Sequence, residues 1–283
     1  MIRIISDSTC DLSPELKERY GIAIIPLHVQ LGDKEYQDGV DITPEEIYSW
    51  SDQNNETPKT SAPSLNDVTD LFRRYLDRGD ELVVFTISAT MSSSYNICRL
   101  AARELGAEDR VSVFDLANLS TGVGHLVVQA AAMAAEGMSR EAIIQQLKVL
   151  RPLVRASFVV DTLVFLHRGG RCSGLAAMAG SALQLHPRIV VERGSMHSDK
   201  KYRGSLGKAI LAYTADMEED LKKARKERVF ITHSGCDPEI VAQVRSYLEG
   251  LQYFDEILET RAGSVVSSHC GPGTLGVLFI AKE

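Results

Sequence analysis

The chain has 283 residues, more than one hydrophobic core usually organises, so two α/β units are expected. Hydrophobic and charged fractions of 44% and 24% are those of a soluble globular protein. A formal net charge of −7 argues against a nucleic-acid binder that works by neutralising phosphates. Five cysteines, Cys10, Cys98, Cys172, Cys236 and Cys270, form no C-x-x-C pair, which disfavours a disulfide framework and a structural zinc site. The first residues lack a signal-peptide layout, and no apolar run reaches the ~18 residues of a membrane span. A cytoplasmic protein without a transmembrane span is therefore expected, with at most transient membrane contact.

In chain order, Ile2 to Ile5 reads as a short buried strand stopped by Ser6-Asp7-Ser8-Thr9. A polar run there would lie at the carboxyl end of a parallel strand, where open α/β sheets place their ligands. Ser13-Pro14-Glu15 marks a helix start, with proline at the first helical position. Ile22 to Leu31 is apolar and β-leaning, and Pro26 marks an edge or a bend in it. Lys34 to Asp41 reads as a polar turn or hairpin, and Thr43-Pro44-Glu45-Glu46 opens a second helix. Ser64 with Asp67 makes a capping arrangement for a helix to about Leu76. That leaves Thr60 and Ser61 as two spare hydroxyls before Pro63, for which local turn bonds and a ligand are competing explanations.

Leu82 to Ile87 is a continuous apolar run, as in a strand covered on both faces. Ser88 to Tyr95 follows with five serines and threonines, ahead of a helix over roughly 93–105. Amides at that helix start, with the hydroxyls of Ser92 to Ser94, suit a carboxylate or phosphate oxygen, although capping alone needs only one of them. Arg110 to Leu116 gives another strand. Thr121 to Gly137 is an Ala-, Gly- and Val-rich helix fit for close packing, and Ser139 to Leu150 is an amphipathic helix with a serine cap. This alternation implies parallel sheet with right-handed crossovers.

After Pro152 the pattern restarts, which sets an expected division into residues 1–156 and 157–283. Ser157 to Val160 is strand-like. Asp161 to Ser173 then begins apolar and ends in Arg168-Gly169-Gly170-Arg171. Two guanidinium groups at a glycine bend suit a carboxylate or phosphate gripped bidentately, with a solvated surface turn as the alternative. Ser173 is a candidate cap for a small-residue apolar helix over Gly174 to Leu185, and His186 to Met196 reads as a hairpin turning at Arg193-Gly194. Lys200, Lys201 and Arg203 make a basic surface segment, solvated or partner-facing. Ser205 to Lys226 reads as one long charged helix. Strands at Arg228 to Thr232 and Glu256 to Thr260 flank a helix over Pro238 to Leu251. Gly271, Gly273 and Gly276 match G-x-G-x-x-G by letter, but they lead into the last strand rather than opening a long helix, the wrong context for a dinucleotide fold. His269, beside that glycine turn, is a candidate hydrogen-bond donor to an anion or a general base.

These pieces occur together. Asp7-Ser8-Thr9, Thr60-Ser61-x-Pro63-Ser64, the Ser88 to Tyr95 loop, Asp161-Thr162-Leu163-x-x-Leu166-x-Arg168-Gly169-Gly170-Arg171 and His269-x-Gly271-Pro272-Gly273 span the whole chain in order. In this the chain resembles the DegV family, which includes the fatty-acid-binding subunit of the bacterial two-component fatty acid kinase. The resemblance implies two α/β domains with a lipid-binding tunnel between them. It implies a protein that does not itself catalyse, but presents a long-chain fatty acid to a separate ATP-dependent kinase subunit that forms the acyl phosphate. No metal and no covalently bound cofactor are implied. By the resemblance, Thr60, Ser61, Ser92, Ser93 and His269 hold the carboxylate, and Arg168 and Arg171 face phosphate; Arg203 of the basic segment is expected to face phosphate or the partner with them. One departure stands out: the family's S-G-T-Y reads Ser92-Ser93-Ser94-Tyr95, adding a Cβ where a backbone amide approaches the ligand. The segment often written K-P-I is His186-Pro187-Arg188-Ile189.

The physics of such a ligand agrees with these residues. Burying ~15 methylenes contributes on the order of 10 kcal/mol, so the tail dominates affinity and the polar groups fix orientation. Small apolar helices near Ala176 to Leu185 and Val123 to Ala135 are candidate tunnel walls. The competing reading is a stand-alone serine/histidine hydrolase or acyltransferase, weakened by the lack of a G-x-S-x-G elbow.

Overall fold

The computed structural model describes residues 1–173 and 185–283. The expected helix over Gly174 to Leu185, with its tunnel-wall role, and the capping role of the Ser173 side chain lie outside the described residues, except that Leu185 itself opens a strand.

The first half is built on a parallel sheet in the order Ala23–Ile25, Ile2–Asp7, Glu81–Thr86, Val111–Asp115. Side chains alternate across it, as strand geometry requires. Ile5, Leu82 and Val84 bury against Val68 and Phe72 of helix Leu65–Leu76 and against Ala101 of helix Ser94–Glu104. Ile4, Val83 and Phe85 point the other way, into the core shared by helices Ser120–Ala135 and Arg140–Leu150. This two-sided covering explains why the strands read as unbroken apolar runs. Ser13, Thr43, Ser64 and Ser139 each cap a helix by accepting from the amide three residues on, as the sequence indicates.

Pro26 does more than bend a strand. It separates Ala23–Ile25, in the parallel sheet, from His28–Leu31, in a small antiparallel sheet with Lys34–Gln37 and Lys59–Ser61. A residue without a backbone donor suits this exit from one ladder before entry to the next. Thr60 and Ser61 are therefore strand residues rather than turn residues, with Thr60 opposite Val29.

The second half carries a mixed sheet in the order Ile257–Arg261, Val229–Ser234, Thr274–Ile280, Val154–Val159, Leu185–Glu192, Ser195–Arg203, Cys172–Ser173. The hairpin Leu185–Glu192/Ser195–Arg203 turns at Arg193 and Gly194, both with positive φ (49° and 84°), as a two-residue hairpin turn demands. Strand Val154–Val159 crosses the expected boundary at residue 156, so we propose that a division of the chain falls just before Val154. The halves share one core. Val123, Leu126 and Val127 pack in the same cluster as Phe85 on one side and Phe158, Phe230 and Leu278 on the other. The expected single helix over Ser205 to Lys226 is instead two, Leu206–Asp216 and Glu218–Leu221. The Met217 amide donates to Thr214 O in a tighter turn at the break, and both Met217 and Leu221 lie in the core.

Candidate functional site

His269 sits in the last turn of helix Ser264–Cys270, a helix that the glycine-rich sequence after it had hidden. Gly271 and Gly273 follow with φ of 74° and 76°, reversing the chain into strand Thr274–Ile280. The small antiparallel sheet delivers Thr60 to the same place, so that Thr60 Oγ1 and His269 Nε2 stand 2.8 Å apart across 209 residues of sequence. Burial first, and the Arg171 guanidinium second, push the His269 imidazole down to about 4. The ring is thus neutral near pH 7 and carries a single N–H. Among the described residues its Nδ1 has no hydrogen-bond partner.

The serine loop closes the opposite side. Ser92 Oγ accepts from Ser94 N–H at 3.2 Å and lies 2.8 Å from Ser94 Oγ. Ser94 is fully buried and serves this local network, whereas Ser92 is half-buried and Ser93 is exposed without a capping bond. The loop is tied to the second half, since Ser88 Oγ donates to Gly194 O of the hairpin tip at 2.8 Å.

Thr60, Ser61, Ser92, Ser93, Arg171 and His269 line one cavity of about 450 Å³. Below that polar head, Ile87, Leu119, Met196, Val265 and Val266 supply an apolar wall. A separate small pocket of about 30 Å³ shares Leu119, Val266 and Cys270 with it and is lined also by Phe158 and Leu278. A second, polar cleft of about 640 Å³ shares Thr60, Arg171 and His269 and adds Lys59 and Arg168. The Thr60–His269 pair thus lies where an apolar cavity meets a basic cleft. Arg168 Nη1 donates to Thr57 Oγ1 at 3.2 Å, and Arg171 Nη1 to Gly169 O at 2.6 Å. Arg203 is not brought to either cavity; it ends strand Ser195–Arg203, exposed and opposite Leu185. In the same basic segment Lys200 is held in an ion pair with Asp216.

Two contributions were not legible beforehand. Asn96 joins the cavity from the first turns of helix Ser94–Glu104, and Lys59 joins the cleft because it precedes Thr60 in its strand. The glycine pair also divides its labour in a way the sequence does not reveal. Gly170 takes the left-handed backbone (φ 66°) that ends helix Val164–Gly169. Gly169 instead matters for its missing side chain, because a Cβ there would lie 2.3 Å from His269 Nδ1. Gly169→Ala is therefore expected to displace the imidazole and to weaken binding of an acidic ligand about as much as removing His269. Isothermal titration of both variants checks this.

The geometry does not assemble a hydrolytic centre. His269 bonds Thr60 rather than Ser92, and among the described residues no carboxylate orients its Nδ1. Burial pushes the neighbouring Cys270 thiol up to about 12 and Cys172 up to about 11, so neither is a ready thiolate.

Residues 1–282 match the family model described as an uncharacterised protein of the DegV family. A DegV domain-containing protein of Deinococcus radiodurans is 33% identical over 98% of this chain and 97% of its own. A solved Thermus thermophilus DegV-family structure, described for its fatty acid binding, superposes with a TM-score of 0.91 at 33% identity, covering 99% of both chains. A stearic-acid-binding protein from Eubacterium ventriosum superposes with a TM-score of 0.86 at 30% identity, covering 100% of this chain and 99% of its own. By sequence along nearly all its length, and by fold, this chain belongs to the DegV family.

Proposed function

We propose that the chain binds a long-chain fatty acid, tail in the apolar cavity and carboxylate at Thr60–His269, and presents that carboxylate to a separate ATP-dependent kinase subunit. The observation that carries this reading is the position of the Thr60–His269 pair at the junction of the apolar cavity and the basic cleft. The fatty-acid-binding structures from Thermus thermophilus and Eubacterium ventriosum support the ligand class. Among the described residues no helix is long and apolar enough to cross a membrane.

The hydrogen-bond logic is directional. A carboxylate can only accept, so Thr60 gives it the hydroxyl proton and its oxygen accepts from His269 Nε2–H. His269 then keeps its lone pair at Nδ1, against Gly169, where no donor is present among the described residues. Ser92 behaves alike. Its oxygen already accepts from the Ser94 amide, so with Ser94 donating to it the Ser92 proton is free for the ligand. Ser93 adds a rim hydroxyl, and its Cβ stands at an exposed position. Lys59, Arg168 and Arg171 would hold the transferred phosphate from the cleft side, where planar guanidinium groups suit phosphate geometry. The protein contributes binding and orientation, and the kinase subunit contributes ATP and the transfer.

Native mass spectrometry of the freshly purified protein is expected to show an adduct with the mass of a long-chain fatty acid, restored by palmitate after delipidation. Only the bare chain mass after palmitate addition would contradict the reading. Turnover of acyl esters by the lone chain, abolished in Ser92→Ala, would favour the hydrolase instead.

A further inference from the structure

Helix Ser264–Cys270, which delivers His269, has seven residues, fewer than the ~12–15 an isolated helix needs in water. Its placement depends on what holds its first turn. Gly263 N–H donates to Asp11 Oδ1 at 2.8 Å, and Ser264 N–H to Asp38 Oδ1 at 2.6 Å. Both carboxylates are buried, 4% and 3% exposed, and their bonded partners are amides and hydroxyls rather than cations. An ordinary helix start needs one serine or asparagine. Two buried acid side chains, both pushed up by burial, Asp11 to about 8, are an unusual way to cap one seven-residue helix.

Asp38 also reaches the other partner of the site. Its amide donates to Leu27 O at 2.8 Å, immediately before strand His28–Leu31, in which Val29 pairs with Thr60. One residue therefore ties the helix carrying His269 to the strands carrying Thr60. Asp11 secures the same helix to the first half, because Ser120 Oγ at the start of helix Ser120–Ala135 donates to Asp11 Oδ2 at 2.5 Å. Gly263 permits this convergence, since a Cβ there would lie 3.0 Å from Asp38 Oδ1 and 3.4 Å from Asp11 Oδ1. We propose that Asp11 and Asp38 are positioning residues that set the register of helix Ser264–Cys270 and thereby the reach of His269 to Thr60. His269 lies roughly one and a half turns beyond the held amides, so a shift at Ser264 passes along the helix to the imidazole. The inference rests on the fatty-acid reading and adds which buried groups decide whether an acid headgroup is recognised.

The test compares palmitate with hexadecanol, which has the same tail and no carboxylate, in the intact protein. Asp38→Ala is expected to lower the acid-over-alcohol preference by about tenfold, the scale of one charge-assisted hydrogen bond, with hexadecanol affinity within about threefold of wild type. Asp38→Asn retains an acceptor for Ser264 N–H and should restore the preference to within about threefold. Gly263→Ala keeps both carboxylates but crowds them, so a smaller loss of about threefold is expected; this variant decides the matter if Asp38→Ala does not fold. A preference unchanged in these variants, acid and alcohol affinities falling together, or an equal loss in Asp38→Asn and Asp38→Ala would overturn the proposal. A wild-type protein that binds neither ligand, or both alike, would instead defeat the fatty-acid reading itself.

Discussion

His269→Ala is expected to weaken palmitate binding by about ten- to a hundredfold while leaving hexadecanol affinity within about threefold. The range follows from the Thr60 hydroxyl's hydrogen bond to a charged group, which His269 orients and which is worth about 1.5–3 kcal/mol, where tenfold in affinity is about 1.4 kcal/mol. The imidazole is the donor that lets Thr60 present its proton outward, so its removal disorders Thr60 as well. Thr60→Ala should therefore have a similar effect, and the double variant should lose less than the sum, as for residues in one network. The tail, worth on the order of 0.8 kcal/mol per buried methylene, is untouched by either change. Thermal melting of His269→Ala should shift little, because among the described residues the ring makes one side-chain hydrogen bond and leaves Nδ1 unpartnered. Equal losses for acid and alcohol would show that His269 shapes the cavity rather than reads the headgroup.

Arg171→Ala is expected to reduce acyl phosphate formation in the reconstituted two-component reaction by about a hundredfold or more, with palmitate affinity within about threefold. Removing one preorganised donor from a developing negative charge typically has an effect of that order. Arg171 belongs to both cavities, and its side chain is held by Gly169 O. It is close enough to His269 to depress the imidazole, so it also acts on whatever occupies that junction. Arg171→Lys should recover only part of the rate, since an ammonium lacks the planar fork that matches phosphate. Single-turnover measurement at saturating palmitate separates this effect from binding. A loss of affinity equal to the loss of rate would move Arg171 from the transfer step to the binding step.

The helix caps were legible because they are local: Ser13, Thr43, Ser64 and Ser139 answer to amides three residues away. The polar head was legible for a different reason. Thr60, Ser61, Ser92 and Ser93 are hydroxyls in excess of what those caps use, and His269 precedes a turn that glycine makes tight. What escaped was set by distant contacts. The passage of the chain at Pro26 from one sheet to another depends on which strands wait on either side. No proline or glycine marks the break at Met217. The packing of Gly169 on His269 joins residues a hundred positions apart, and no local pattern records it. Asp11 and Asp38 belong to no motif in the sequence, and only burial distinguishes them. Arg203 shows the opposite failure: a charge that fits the expected chemistry lies outside both cavities.

The central claim is that an acid group is grasped at the head of an apolar cavity by the Thr60 hydroxyl, which His269 orients, and carbon-13 NMR of palmitate labelled at its carboxyl carbon tests it most directly. A single bound carboxyl resonance, distinct from free palmitate and displaced in Thr60→Ala and His269→Ala, is the predicted result. A bound resonance that is the same in wild type and both variants would contradict it, because the carboxylate would then lie somewhere else.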